Sequence, residues 1–256
     1  MRKLLFDKML LSLVFIGLLV GCSGENEHQA QGYVEGKFTY LSTPLSGQLK
    51  QLSVERGASV QSGALIFTLD AESEQAQLTQ LKSALWLAEQ TLIRNHDLYR
   101  KKAVPKAVVD HAKSQYDQTK AQVKQAQWAV DQKLFTAPKS AQVFDTYYLS
   151  GEFVPAGRPI VSLLAPEDIK IIFYISEPIL STLKLGNTVT IKCDGCPIDK
   201  PLSATIQFIS PQNEYTPPVI FSTETRQKLV YRVEAAPAPY NATLFKPGQP
   251  ITVLFR

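Results

Sequence analysis

The sequence predicts a mainly β protein that carries an α-helical hairpin, and three observations lead there. The first is an internal repeat. "VERGASVQSGALIFTL" (54–69) returns as "YLSGEFVPAGRPIVSL" (148–163), so Gly57 and Gly63 meet Gly151 and Gly157 at a constant offset of 94 residues. At the same offset, without a gap, Pro44 meets Pro138, Ser46 meets Ser140 and Gln48 meets Gln142. Val60, Ile66 and Leu69 likewise meet Val154, Ile160 and Leu163. The second observation is the insert between the copies, which from Asp70 to Lys133 holds no glycine and one proline, Pro105. That composition is helical. The third is the stretch after Ile169, where short apolar runs alternate with proline and glycine, as strands do.

Taken from the N-terminus, "MRKLLFDK" supplies basic residues and "MLLSLVFIGLLVGC" an apolar run too short to span a bilayer. Leu19-Val20-Gly21-Cys22 resembles a bacterial lipobox. The resemblance implies removal of a signal peptide, residues 1–21, and lipidation of the Cys22 thiol, which anchors the chain instead of spanning it. The polar "SGENEHQAQ" then reads as a tether, residues 22–31. Two cysteines remain for an oxidising compartment.

The repeated motif reads as two β half-motifs, residues 32–70 and 134–168. Gly57 and Gly151 suit positive-φ turns, and Gly63 and Gly157 the bend before each apolar strand. A phosphate-gripping loop would need a helix directly after its glycines, whereas "ALIFTL" and "RPIVSL" read as strands. In the insert, 71–133, Leu78, Leu81, Leu85, Ala88 and Leu92 step by three and four, the spacing of a coiled-coil seam. Val109, Ala112, Tyr116, Thr119, Val123, Ala126 and Val130 resume it after Pro105. Two runs of about 30 residues give arms of roughly 45 Å. Pro105 suits the first position of the second helix, so the break falls at 100–104 and the arms run antiparallel. Ala, Thr and Tyr make the second seam weakly apolar. Either the hairpin packs beside copies of itself or a partner, or it folds onto its own domain.

Two β half-motifs parted by a helical hairpin resemble the lipoyl-like domain of the hemolysin D-type periplasmic adaptors, the membrane fusion protein family. The resemblance implies a lipoyl-like β-sandwich split by the hairpin. At the tip, channel-docking adaptors carry Arg, then Leu four later, then Ser seven further on, then an apolar–Asp pair. Arg94, Leu98, Val109 and Asp110 fall on that spacing, with Pro105 in the serine's place. The resemblance makes Arg94 and Leu98 channel contacts; the plain alternative is a solvated arginine and a hairpin-core leucine. Arg100, Lys101, Lys102 and Lys106 make the tip basic, which suits an acidic partner rim or a solvated charge run.

The last third, 169–256, resembles the small β-barrel domain of the same family. "IKIIFYIS", "TVTIKC", "LSATIQFIS", "KLVYRVEA" and "PITVLF" are its strands, and "EPILSTLKLG" a short helix ending at Gly186. The resemblance seats the barrel near the membrane on its lipid tether. Cys193-Asp194-Gly195-Cys196 lies between two strands, and Asp-Gly as a two-residue hairpin turn would set the cysteines opposite each other, so a disulfide is preferred. A zinc knuckle needs a second ligand pair that the spacing lacks, and a redox motif should open a helix. "SPQNEYTPPVIFS" reads as a loop, either a partner contact or a simple connection.

No catalytic constellation is present. His28 sits in the tether, His96 and His111 near the tip, and there is no P-loop, HExxH or serine elbow. The net charge of +4 is too mild for nucleic acid. The expectation is a non-enzymatic, cofactor-free adaptor that joins an inner-membrane exporter, of the ABC type by resemblance, to an outer-membrane channel, working as a homo-oligomer. It would lie in the periplasm, lipid-anchored in the inner membrane rather than the outer, although Ser23 rather than aspartate follows Cys22. The alternatives are a lipoprotein that binds a small solute and a lipoyl- or biotinyl-type carrier subunit.

Overall fold

The computed structural model describes residues 28–194, 196, 202–215, 229–239 and 242–255. The signal peptide, Cys22, Gly195 and the Pro217-Pro218 segment lie outside them. The chain divides into two units, 36–169 and a second made of the N-terminal segment to Glu35 with 170–256.

In the first unit the repeat becomes two four-stranded sheets. One joins β2 (Thr39–Ser42), β9 (Pro159–Leu164), β7 (Ala141–Thr146) and β4 (Ser59–Val60); the other joins β6 (Leu134–Thr136), β5 (Leu65–Leu69), β3 (Gly47–Leu52) and β8 (Phe153–Val154). Each sheet takes strands from both halves, because β3 pairs with β8 and β4 with β7. The hydrogen bonds between halves are reciprocal. Gln48 donates to the Gly151 carbonyl at 2.9 Å, and its repeat mate Gln142 donates to the Gly57 carbonyl at 3.0 Å. The Gly57 amide donates to the Val143 carbonyl, and the Gly151 amide to that of Leu49. The two inner faces meet in one core in which Leu49, Ile66, Phe67 and Leu69 pack with Val143, Val154, Ile160 and Leu163, all at most 2% exposed.

The four repeat glycines have φ of +88°, +83°, +97° and +76°, in chain order. A Cβ at any of them would meet nothing within 4 Å, so only backbone conformation demands glycine there. Gly57→Ala and Gly151→Ala should therefore each cost about 1–2 kcal/mol. Being symmetry mates, the two should shift the urea midpoint of the sandwich by matching amounts.

The second unit is a closed six-stranded barrel, in the order β1-β10-β13-β12-β11-β14. Its strands are β1 (His28–Gly36), β10 (Ile169–Ser176), β11 (Thr188–Lys192), β12 (Leu202–Tyr215), β13 (Leu229–Pro237) and β14 (Pro250–Phe255). Ile171, Phe173, Ile191, Ile206, Val233 and Val253 fill it.

Four expectations are corrected here. His28–Gly36 is neither tether nor sandwich: β1 pairs antiparallel with β14, from His28 opposite Phe255 to Tyr33 opposite Pro250. Ala30 and Val34 face inward while Gln29, Gln31 and Tyr33 stay exposed, a period-two pattern whose inward side chains are small. The "EPILSTLKLG" helix spans only Glu177–Leu180, and turns carry the chain on to Gly186, at φ +86°. Ser210–Tyr215 is strand rather than loop. Pro211 falls at a register shift between Ile209 and Asn213, where the missing amide costs no ladder bond. Finally, β12 starts at Leu202, opposite Ile191. The Cys193–Cys196 turn therefore opens a longer connection and does not close a two-residue hairpin.

Candidate functional site

The hairpin consists of α1 (Glu72–Arg100) and α2 (Lys106–Asp131), inserted between β5 and β6. Each helix packs extensively only on the other, among the elements of its unit. At the root, Asp70 Oδ1 accepts the Glu72 amide at 3.1 Å, and Glu72 and Glu74 complement the positive end of α1. Lys133 is buried there. Its Nζ lies 2.9 Å from Glu74 Oε1 and donates to the Ser46 carbonyl at 3.1 Å, tying the helix to the sandwich.

The seam follows the heptad spacing. Leu78 is 1% exposed, Leu81, Leu85, Ala88 and Leu92 are half-buried, and Ala112, Thr119 and Ala126 of α2 are buried opposite. Small residues in α2 let the backbones approach, and the Thr119 hydroxyl is satisfied by donating to the Gln115 carbonyl. Beside this seam runs an apolar groove of about 600 Å³, lined among others by Ala84, Leu87, Ala88, Val108, His111 and Ala112.

Arg94 and Leu98 belong to the same flank. Leu87 and Arg94 are seven residues apart, as are Ala84, Thr91 and Leu98, so each set forms one stripe of a supercoiled helix. Arg94 is exposed and Leu98 half-buried. The groove's lining reaches Asn95 and Ala107 near the tip, beside these two stripes. Trp86 and Ile93, 63% and 52% exposed, form another seven-residue stripe on the far flank of α1.

At the tip, Pro105 is the N-cap of α2, with extended φ −72° and ψ 157°, and not its first helical residue. The fixed ring directs the chain into the helix but provides no side-chain cap. Val109 joins the seam and Asp110 is exposed. α1 ends in a Schellman motif: the Lys102 amide donates to the Tyr99 carbonyl at 2.8 Å and the Ala103 amide to that of Leu98 at 2.9 Å. Lys102 takes the left-handed position, φ +59°, where glycine is the usual occupant. A side chain there costs about 1 kcal/mol or more.

The left-handed turn at Lys102 and the burial of Lys133 were both missed in the sequence. A lysine announces neither a left-handed turn nor burial, and the only local signal for Lys102 is that a helix end without glycine must still turn. The other candidate pair, Cys193 and Cys196, sits in a β-turn closed by the Cys196 amide on the Cys193 carbonyl at 3.2 Å. Their Cα atoms are 5.4 Å apart, within disulfide range. No group of three or more potential metal ligands occurs among the described residues. Nor is any described helix long and apolar enough to cross a membrane.

Hairpin, two-halved sandwich and barrel together define a membrane fusion protein fold. Residues 70–134 match the family described as RND MFP, alpha-helical hairpin domain. Along 94% of its length the chain is 29% identical to a UPF0194 membrane protein of Enterobacter sp. (strain 638), covering 95% of that relative. It is also 29% identical, over 67% of its length, to an uncharacterized protein of Haemophilus influenzae, of which it spans 44%, less than half. Among solved structures, a MacA-MexA chimeric protein containing the Pseudomonas aeruginosa MexA alpha-hairpin domain superposes with a TM-score of 0.71 at 21% identity. That likeness, over 89% of this chain and 80% of the other, is one of fold. The hairpin thus matches the membrane fusion protein hairpin model, the chain is similar in sequence to UPF0194 membrane proteins, and its fold is similar to that of the MacA-MexA chimera.

Proposed function

We propose that the protein is a non-catalytic periplasmic adaptor, lipid-anchored through Cys22 to the inner membrane, that couples an inner-membrane exporter to an outer-membrane channel. The observation that carries this reading is the hairpin itself: two helices packed on each other, rooted in a sandwich to which both chain halves contribute, with an apolar groove on the flank whose heptad stripes also carry Arg94 and Leu98. Such a groove accepts the knobs of a partner helix, and Arg94 offers a forked donor beside it. Transport work by this chain would be assembly and alignment. The exporter class, of the ABC type, rests on the family resemblance alone.

The same reading has several copies standing side by side. Trp86 and Ile93 form an exposed apolar ridge on the flank away from the groove, which leaves the groove to the channel helix and gives a neighbouring copy a surface to pack on. A disulfide between Cys193 and Cys196 would hold the start of the β11–β12 connection, with little gain in stability from so small a ring.

Photo-crosslinking from position 94 in intact cells tests the reading. The expected adduct is an outer-membrane channel protein, and from the Pro217-Pro218 segment a transporter. Capture of neither contradicts the adaptor role.

A further inference from the structure

The hairpin tip holds a net positive charge as large as that of the whole chain. From Arg94 to Lys106 there are five basic residues and one acidic, a net +4 that equals the whole chain's formal net charge. The remaining shaft is not basic: 72–93 carries three acids against one lysine, and 107–131 three of each. Within the tip the recorded ion pair is Arg100 with Asp97, at 4.0 Å and largely exposed, a geometry that neutralises little. Arg94, Lys101, Lys102 and Lys106 are all exposed.

Two of these lysines stand where local structure disfavours them. Lys102 occupies the left-handed C′ position that glycine fills without strain. Lys106 opens α2, whose first turn has no acidic residue, so its cation faces the positive end of the helix dipole. Neither placement helps the hairpin fold. Each keeps a positive charge at the tip.

We propose that the tip docks by charge on a carboxylate-rich rim of its protein partner, with Lys101, Lys102 and Lys106 as the recognition residues and the Arg94–Leu98 flank as the apolar contact that follows. This rests on the adaptor reading and adds the chemistry of the partner surface. Exposed cations at the end of a rod steer encounter, and a cluster of them discriminates against a basic or neutral rim.

The test uses the full chain in its native envelope, with the photo-crosslinker at Ala103, an exposed tip position that is not one of the proposed contacts. The double reversal Lys101→Glu, Lys102→Glu should cut the yield of channel adduct about tenfold. Lys102→Arg should keep near-native yield. Lys102→Gly separates folding from docking, because it relieves the turn yet removes a charge: it should raise the hairpin's melting temperature while lowering the yield about threefold. Raising salt from about 50 to 300 mM in isolated envelopes should weaken the native adduct and leave the reversed variant's unchanged. Native yield from both the glycine and the reversed variants would overturn the acidic-rim proposal and leave the adaptor reading standing. Charge-dependent binding to phosphatidylglycerol vesicles together with a charge-independent protein adduct would also overturn it, in favour of a lipid surface. Absence of any envelope-protein adduct from the native chain would overturn both.

Discussion

Truncating Phe67 to alanine is expected to lower the stability of the sandwich by about 3–5 kcal/mol. Phe67 is fully buried on β5 and stacks on Phe135 of β6, ring centroids 4.6 Å apart. β5 is also the strand from which α1 departs, so the residue packs the core and holds the two strands that flank the hairpin. Its repeat mate is Val161, also fully buried. The two halves are therefore symmetric in backbone but not in volume, and the ring fills space that neither half could refill after truncation. Chemical denaturation should show the sandwich transition at lower denaturant with the helical signal of the hairpin lost at the same step, since the hairpin's root is built on these strands. A two-state fit to the whole chain is inappropriate with two units. The barrel transition should stay in place.

Gly32→Ala should have the converse effect. A Cβ at this position would lie 2.2 Å from the Ile172 carbonyl oxygen and 2.8 Å from Phe173 Cβ. Both obstacles belong to β10, the neighbour of β1 in the barrel. A backbone oxygen in a paired strand cannot swing aside as a flexible side chain can, so the cost should reach about 3 kcal/mol, the upper end of ordinary overpacking. The barrel transition should fall while the sandwich transition holds. Movement of the sandwich transition instead would mean that Gly32 belongs to the half-motif, residues 32–70, as the sequence alone led one to expect.

The contrast between these two sites shows what the sequence made legible. A repeat at constant offset announces one fold twice: left-handed φ was expected at Gly57 and Gly151, and Gly63 and Gly157, read as the bend before each strand, have it too. The heptad seam was equally readable, because Leu78 and the small residues of α2 obey a period that only a packed helix pair rewards. β1 escaped notice because glutamine, alanine and glycine are weak strand formers and its inward side chains are small. Only closure of the barrel makes a strand of it. The Ser210–Tyr215 stretch was misread for a related reason: proline, asparagine and glutamate point to a loop, and a bulge that absorbs Pro211 has no sequence signature of its own. Among candidate contacts, Arg94 and Leu98 were found by resemblance, whereas the groove they adjoin arises from two helices at once. Its lining from α2, Val108, His111 and Ala112, could be assigned only after the register between the arms was known.

Hydrogen exchange on the Phe67→Ala chain addresses most directly whether two sequence-distant halves form the single body that presents the hairpin. The amides of Leu49 and Gly57 bond to carbonyls of the second half, and those of Val143 and Gly151 to carbonyls of the first. If the halves interlock, a core truncation in the first should speed exchange in β7 and β9 as much as in β3 and β5. Full protection of β7 and β9 while β3 and β5 open would mean that the halves are separate bodies, and the hairpin would then have no common base to stand on.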